Sequence, residues 1–376
     1  MNTLQTCTRC LYDSTIPKIA FNADLICNYC QQYDQMNLEY PTGAEGRRKL
    51  EEIAKVIRKD GKGKKYDVVV GVSGGCDSSY LLCLAKELGL RPLAAHFDNT
   101  WNSRIAVENI QVMLEKLKID LFTYVVDNKE YNDLFRAFLL ASVPEIDTPS
   151  DIGLATTHYL AARKYGIRYI WEGHSFRTEG ITPEGWFYMD GKYIESIHRR
   201  YGTVPLRTFP NLRLGRWLKW IIINKIRKIR PLYYLDYNKE AVKTELTQRY
   251  NWQWYGGHHM ENRTAYFTNN FYLPRKFGID LRVCELSALV RSKQLTRPGA
   301  QKILSEPKPF DPEIMNEVYK RLFLTEREFN QLMEQRPKSF RDYETYKRTF
   351  IKMRPLFYLL YRTNFVTKSF YSKFCF

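Results

Sequence analysis

At 376 residues, 44% of them hydrophobic, the chain is long enough to bury a sizeable core and to form two or more units. Its longest apolar run, around Trp220 to Ile223, falls far short of the ~20 residues that a membrane span needs, so the chain reads as soluble. With 58 basic against 41 acidic residues the formal charge is +17, which points to acidic partners (nucleic acid, nucleotide-linked substrates or an anionic membrane surface) without choosing among them.

In chain order, the first unit (residues 1–40) is organised by Cys7-x-x-Cys10 and Cys27-x-x-Cys30, two knuckles separated by sixteen residues. That spacing suits a tetrahedral four-thiolate Zn²⁺ site, because each tight turn brings two thiolates to one ion and the intervening segment returns as a small ribbon. Iron–sulfur ligation and disulfides are the competing readings. No signal peptide precedes Cys7, and the other cysteines (Cys76, Cys83, Cys284 and Cys375) are scattered singly, as in a reducing cytoplasm. Metal binding would stabilise a segment too short and too polar to fold on its own apolar core.

A helical pattern from Glu45 to Arg58 leads through the turn Asp60-Gly61-Lys62-Gly63 into a strand, Tyr66 to Val70. Residues 71–79, Gly-Val-Ser-Gly-Gly-Cys-Asp-Ser-Ser, then precede a helix, Tyr80 to Leu88. Gly74 and Gly75 let the chain turn tightly and gather backbone N–H groups, the helix start near Ser78 adds its positive end, and Ser73, Ser78 and Ser79 add hydroxyl donors. This is a phosphate cradle without the Gly-Lys-Ser/Thr ending of a Walker A loop; an ordinary glycine turn is the alternative. Ser73-Gly74-Gly75-x-Asp77-Ser78 resembles the SGGxDS signature of the PP-loop ATP pyrophosphatases. That resemblance implies a site holding the pyrophosphate part of ATP while a substrate oxygen attacks the α-phosphate. Cys76 fills the free position of the signature.

Beyond the loop, strands at Leu93 to Phe97, Asp120 to Val126 and Tyr169 to Trp171 alternate with helices at Ser103 to Leu117 and Asp151 to Tyr165. This alternation predicts an α/β fold, a Rossmann-like parallel sheet covered on both faces, with ligands at the carboxyl ends of its strands. Asp98, Asn99, Trp101 and Asn102 would then lie beside Gly173-His174-Ser175 and the phosphate loop as the edges of an adenosine pocket. The ATP-binding domain is expected to span residues 41–208. Residues 209–376 are expected to be helical, basic and aromatic, and to bind substrate or partner. Within them, Leu214 to Arg230 mixes Trp217, Trp220, Ile221 and Ile226 with Arg213, Lys219, Lys225, Arg227, Lys228 and Arg230. Two readings stay open for it and for the tail 347–376: contact with a membrane surface or partner, or packed helices with a solvated basic side.

Six blocks together resemble the N-acetyl sugar amidotransferases of bacterial surface-polysaccharide (lipopolysaccharide O-antigen) biosynthesis. They are the knuckles, the loop Ser73 to Ser79, Asp147-Thr148-Pro149-Ser150-Asp151, Glu172-Gly173-His174 with Thr178-Glu179-Gly180, Trp254 to Arg263, and Tyr272 to Arg282. The family implies ATP with Mg²⁺, a nucleotide-linked N-acetyl sugar, and conversion of its acetamido group to acetamidino through an adenylated imidate and ammonia. Asp77, Glu179 and Asp151 carry the implied catalytic roles, with Asp77 either organising the loop or holding Mg²⁺. Ser73, Gly74, Gly75, Asp77, Ser78, Ser79, Asp98, Gly173 and His174 would bind the nucleotide. Asn102, Asp147, Tyr255, His258, His259, Arg263, Lys276 and Arg282 would bind the sugar substrate, the last three neutralising its diphosphate.

Alternatives remain beside these roles. His174 stands where the family often has Asn, Ser150-Asp151 suits a helix cap, and Glu179 suits a surface salt bridge. No glutaminase nucleophile is present: neither Met1 nor Asn2 is cysteine, and no Gly-x-Cys-x-Gly elbow occurs. The resemblance therefore implies a separate glutaminase and a cyclase-like barrel subunit, similar to those of imidazole glycerol phosphate synthase. The expected location is the cytoplasm, with the basic aromatic segments as a means of contact with the inner membrane face. Rival readings are a PP-loop tRNA-modifying enzyme of the thiolase or lysidine synthetase type, and a non-catalytic zinc-ribbon protein that binds nucleic acid. An intact loop weighs against the second.

Overall fold

In the computed structural model, which describes residues 4–257, 260–308 and 310–376, helices α1 (Asn28–Glu39) and α2 (Gly43–Asp60) lead to the valine-rich strand β1 (Val68–Gly71). The sheet-forming part continues as α3 (Cys76–Glu87), β2 (Pro92–Asp98), α4 (Arg104–Leu117), β3 (Leu121–Val125), α5 (Asn128–Leu140), α6 (Thr148–Lys164) and β4 (Tyr169–Trp171). α7 (Gly191–Tyr201) and the short α8 (Leu214–Leu218) precede a fifth strand, β5 (Arg227–Ile229). All five strands are parallel, in the order β3-β2-β1-β4-β5, with Val69 opposite Leu93 on one side and Ile170 on the other.

The run of valines is buried on both faces, as a parallel sheet requires. Val69, Leu93, Ala95 and Phe97 pack into the core shared with α5, α6 and α7, while Val68, Val70 and Ala94 pack beneath α2, α3 and α4. Helix starts follow their capping chemistry: Ser103 accepts from the Ala106 N–H at the start of α4, and Asp127 accepts from Lys129 and Glu130 at the start of α5. The alternation had no α5 in it, although Asp127-Asn128 after β3 offers the cap that starts it.

β5 revises two expectations. The basic stretch 214–230 is not one amphipathic helix: it is α8, a π-helical turn (Lys219–Ile223) and the edge strand. The sheet therefore runs past the boundary expected at 208/209. Trp220, Ile221 and Ile226 are buried, and Trp217 stacks on Phe357, so the aromatic residues here act as packing.

The chain continues through α9 (Lys239–Tyr250), α10 (Arg263–Phe267) with a π-helical extension to Phe277, α11 (Arg282–Arg291) and α12 (Arg297–Ser305). It ends in α13 (Glu313–Leu322), α14 (Glu326–Glu334), α15 (Lys347–Lys352), α16 (Arg354–Arg362) and α17 (Lys368–Phe374). Phe350, Phe357 and Phe374 from the tail are buried in the same core as Trp220, which favours the packed reading for that face of the tail. No helix among the described residues is long and apolar enough to cross a membrane.

Candidate functional site

The order β3-β2-β1-β4-β5 places the reversal of strand sequence between β1 and β4, where open α/β sheets bind ligands. The loop 71–79 leaves β1 at that point. Gly74 has φ of +80° and sits so close to α4 that a Cβ there would meet the Ala106 carbonyl oxygen at 2.2 Å, so glycine is required twice over. Ser73 Oγ accepts from the Gly75 N–H at 3.3 Å, and Ser78 Oγ accepts from the Ser73 N–H at 3.3 Å and donates to the Gly75 carbonyl at 3.1 Å. These bonds hold the loop open above the N-terminus of α3, a ready anion site.

Beneath the loop lies a cavity of about 690 Å³. Of the residues expected at the site, Ser73, Gly75, Asp77, Ser78, Asp151, Gly173, His174, Glu179 and Tyr255 line it. Tyr255 hydrogen-bonds the Cys76 backbone, and Gly75 faces its hydroxyl and the Glu261 carboxylate; Tyr255 therefore belongs to the phosphate loop. His174 Nδ1 bonds the Tyr233 hydroxyl at 3.1 Å, with Nε2 3.9 Å from Glu179, so the histidine takes part in the site's polar network.

Asp77 is the hub of this network. Tyr237 donates to its Oδ1, and the Lys239 ammonium stands 3.3 Å from its Oδ2. Burial by itself would raise the Asp77 carboxyl; Lys239, with a hydrogen bond shared with Glu179 and one donated by Tyr237, outweighs it and holds the group below the usual carboxylate range. Both oxygens are thus engaged by cation and hydroxyl. That arrangement fits the loop-organising role.

Glu179 reaches Asp77 from the loop 175–184, which is tied to its neighbours on both sides. Ser292 Oγ donates to the Arg177 carbonyl at 2.9 Å, and the Tyr12 hydroxyl donates to the Ile181 carbonyl at 2.8 Å. Gly180, at φ +88°, lies where a Cβ would strike the Cys284 carbonyl at 2.5 Å.

A second charged group was not anticipated as part of the site. Lys228 and Arg230, alternate residues of β5 and its continuation, converge on Glu172 at 2.5 Å and 3.3 Å. Burial would raise the Glu172 carboxyl, but Lys228 and Arg230 drive it far below its ordinary value. Lys228, Arg230 and Lys239 thus line the cavity as ion pairs, the first two on Glu172 and the third on Asp77. The Arg-Lys-Ile-Arg alternation was the available signal, obscured by the helical reading of 214–230.

His158 on α6 also lines the cavity and has no hydrogen-bond partner for either ring nitrogen among the described residues. Burial, reinforced by Lys228, pushes its imidazole down to about 4, so it is neutral at physiological pH. α17 closes the far wall with Ser369, Phe370 and Lys373.

Several expected site residues lie elsewhere, each for a visible reason. Ser79 is buried within α3 at 3% exposure. The Gly74 carbonyl turns away to accept from Asn109 and Trp252. Asp98 Oδ1 is held by Asn102 Nδ2 (3.1 Å) and the Thr100 N–H, and Asn102 Oδ1 accepts from Asn262. Asp147 accepts from Ser150 and Thr264. These residues form a polar seam under α10, away from the cavity lining. Arg263 pairs with Glu317 at 2.7 Å, Lys276 donates to the Leu332 carbonyl, and Arg282 forks onto Asp280, so none of the three faces the phosphate loop. His258 and His259 lie outside the described residues.

The four knuckle cysteines are fully buried, and their sulfurs all lie within 4.8 Å of one another. Cys7 and Cys30 are 3.8 Å apart and Cys10 and Cys27 3.7 Å, matching the edge of about 3.8 Å that ~2.3 Å zinc–sulfur bonds make in a tetrahedron. Disulfides, at about 2.05 Å, do not fit these separations.

Residues 261–355 match the family model described as LPS biosynthesis protein WbpG-like, C-terminal domain, in agreement with the family that the sequence blocks resemble. An uncharacterized protein of Methanocaldococcus jannaschii is 24% identical over 326 residues, 84% of this chain and 97% of its own length. A probable mitochondrial tRNA-specific 2-thiouridylase of Caenorhabditis elegans is 26% identical over 156 residues, 37% of this chain and 40% of its own. Among solved structures, an NMN synthetase from Francisella tularensis aligns at 13% identity and TM-score 0.31, covering 78% of this chain and 97% of that one. An NH3-dependent NAD synthetase from Campylobacter jejuni aligns at 13% and 0.33, covering 79% and 99%.

Proposed function

For a chain that joins a PP-loop α/β fold to a WbpG-like C-terminal domain, we propose an ATP-dependent, AMP-forming amidotransferase acting on a nucleotide-linked N-acetyl sugar in surface-polysaccharide biosynthesis. The observation that carries the reading is the cavity in which the phosphate loop, the Asp77–Lys239 pair and the Lys228–Glu172–Arg230 group meet at the β1/β4 reversal.

The chemistry needs such a site. An amide oxygen is a poor leaving group, so nitrogen cannot replace it without activation. The acetamido oxygen attacks the α-phosphorus; the new O–P bond forms as the bond to pyrophosphate breaks, and the amide N–H proton is released. The loop N–H groups with Ser73 and Ser78 receive the charge that builds on pyrophosphate, each such donor contributing about 2.7–4 kcal/mol in comparable electrostatic sites. Lys228, Arg230 and Lys239, held on Glu172 and Asp77, supply cations at the cavity wall. Ammonia then adds to the imidate carbon beside Glu179, a proton is lost to solvent, the C–O bond breaks, and AMP departs to leave the acetamidine. Mg²⁺ would supply further charge neutralisation on the phosphates, with Asp77 the residue that would hold it, and no step here depends on it. Asp151 orients the sugar from the first turn of α6. A separate glutaminase with its barrel subunit supplies the ammonia, since this chain carries no recognisable glutaminase nucleophile. Cys7, Cys10, Cys27 and Cys30 hold one structural zinc.

The 2-thiouridylase likeness favours tRNA thiolation as the second reading. Cys76 and Cys83, the cysteines beside the sheet, argue against it: both are buried, and burial pushes their thiols up to about 12 and about 11, opposite to what sulfur transfer needs.

Chromatography of nucleotides during turnover with a panel of UDP-N-acetyl sugars and ammonium chloride tests the proposal. Sugar-dependent AMP and pyrophosphate with an amidine product support it. ADP formation, or AMP formation dependent on tRNA, would overturn it. Glutamine should serve only when a glutaminase is added.

A further inference from the structure

Arg291, the last residue of α11, enters the cysteine cluster from the C-terminal domain. Its Nε–H donates to Cys30 Sγ at 3.3 Å and its Nη2–H to Cys10 Sγ at 3.1 Å, one sulfur from each knuckle. The residue is 3% exposed, its guanidinium lies 4.6 Å from the centre of the Tyr12 ring, and Nη1 has no hydrogen-bond partner among the described residues. No carboxylate among the described residues lies within ion-pair distance of it. Arg297 approaches the same knuckle differently, through the backbone carbonyls of Cys10 at 3.2 Å and Cys7 at 3.1 Å.

A buried, always-charged guanidinium without a carboxylate is costly unless some other negative charge faces it. Neutral thiols do not provide that charge. Four thiolates around a divalent cation do, since they carry a net charge of about −2, and that buried dianion in turn requires compensation. The two problems are solved by one contact. N–H donors to metal-bound sulfur draw off thiolate charge and fix the direction of the sulfur lone pairs, and outer-shell partners of this kind are commonly worth 10–100-fold in metal affinity.

We infer that Arg291 is the outer-shell partner of the Cys7–Cys10–Cys27–Cys30 metal centre, neutralising a tetrathiolate zinc and joining its two knuckles to the WbpG-like domain. The inference rests on the reading of these cysteines as a metal centre, and the assay separates the two. It also makes the metal a link between the chain's N-terminal unit and α11, from whose end Ser292 holds the loop bearing Glu179.

The test uses the full chain as wild type, Arg291→Met, Arg291→Lys and Arg297→Met, with zinc content by elemental analysis and zinc transfer to a chromogenic chelator. Circular dichroism verifies the fold. Arg291→Met is expected to release zinc at least 10-fold faster than wild type. Arg291→Lys should fall between, because one ammonium cannot hold both sulfurs, and Arg297→Met should stay within about 3-fold because it touches only carbonyls. Should Arg291→Met not fold, cobalt-substituted Arg291→Lys gives the same answer: its sulfur-to-cobalt absorption must shift from the wild-type position. Wild-type protein without metal would refute the metal centre itself. Zinc-bearing wild type with unchanged release and unchanged cobalt spectra in the Arg291 variants would refute only the role of Arg291, as would equal acceleration in Arg291→Met and Arg297→Met.

Discussion

Replacing Lys239 by Met should leave Asp77 a buried carboxylate without its cation. The two side chains are 10% and 13% exposed and 3.3 Å apart. At that separation and an effective dielectric of about 20, their attraction is about 5 kcal/mol before the cost of burying both charges. Breaking such a pair from one side costs about 3–5 kcal/mol, most of it the unpaired charge left behind. We expect Lys239→Met to lose about 3 kcal/mol in urea denaturation at pH 7, and Lys239→Met/Asp77→Asn to recover a third or more of that, because the remaining amide needs only hydrogen bonds.

The pH dependence has a definite sign. Asp77 is lowered from its ordinary 3.8, so its contribution is present above that value and is lost as pH falls through the lower folded one. Lys239 is raised from 10.5, so its contribution is present below that value and is lost as pH climbs through the higher folded one. The wild-type pair therefore contributes fully across neutral pH. The single variant, whose carboxyl burial now raises, should instead gain stability as pH falls toward 4. A double variant no more stable than Lys239→Met, or a single variant whose deficit is flat between pH 4 and 8, would refute the reasoning.

Lys228→Met removes one of the two cations on Glu172 and one from the cavity wall; pyrophosphate release should show kcat/KM for ATP down about 10–100-fold, the worth of one charged hydrogen bond. Gly71→Ala would place a Cβ 2.3 Å from the His158 ring, an overpacking that should cost about 1–3 kcal/mol by thermal denaturation, and His158→Ala should relieve it in the double variant. Cys10→Ser should abolish zinc binding of about one ion per chain and lower the melting temperature, both read from elemental analysis and calorimetry of the same samples.

Local sequence determined the parts of this protein whose physics is local. A run of valines between turn signals could be buried only in a covered parallel sheet, glycines at 74 and 75 were needed wherever backbone N–H groups gather on an anion, and two Cys-x-x-Cys turns bring sulfurs together whatever surrounds them. Charged side chains were different. Arg263, Lys276 and Arg282 read as phosphate ligands by type, yet each has found a carboxylate or carbonyl beside it. Lys228 and Arg230 read as part of a basic helix turned to a membrane, a partner or solvent, yet both line the cavity because residues 227–229 pair with β4 and do not extend the preceding helix. Lys239 and Arg291 stand far along the chain from the Asp77 and cysteine groups they compensate. Where a long, mobile cation finds its counter-charge depends on which buried anion the folded chain places within reach, and that pairing is decided by tertiary structure.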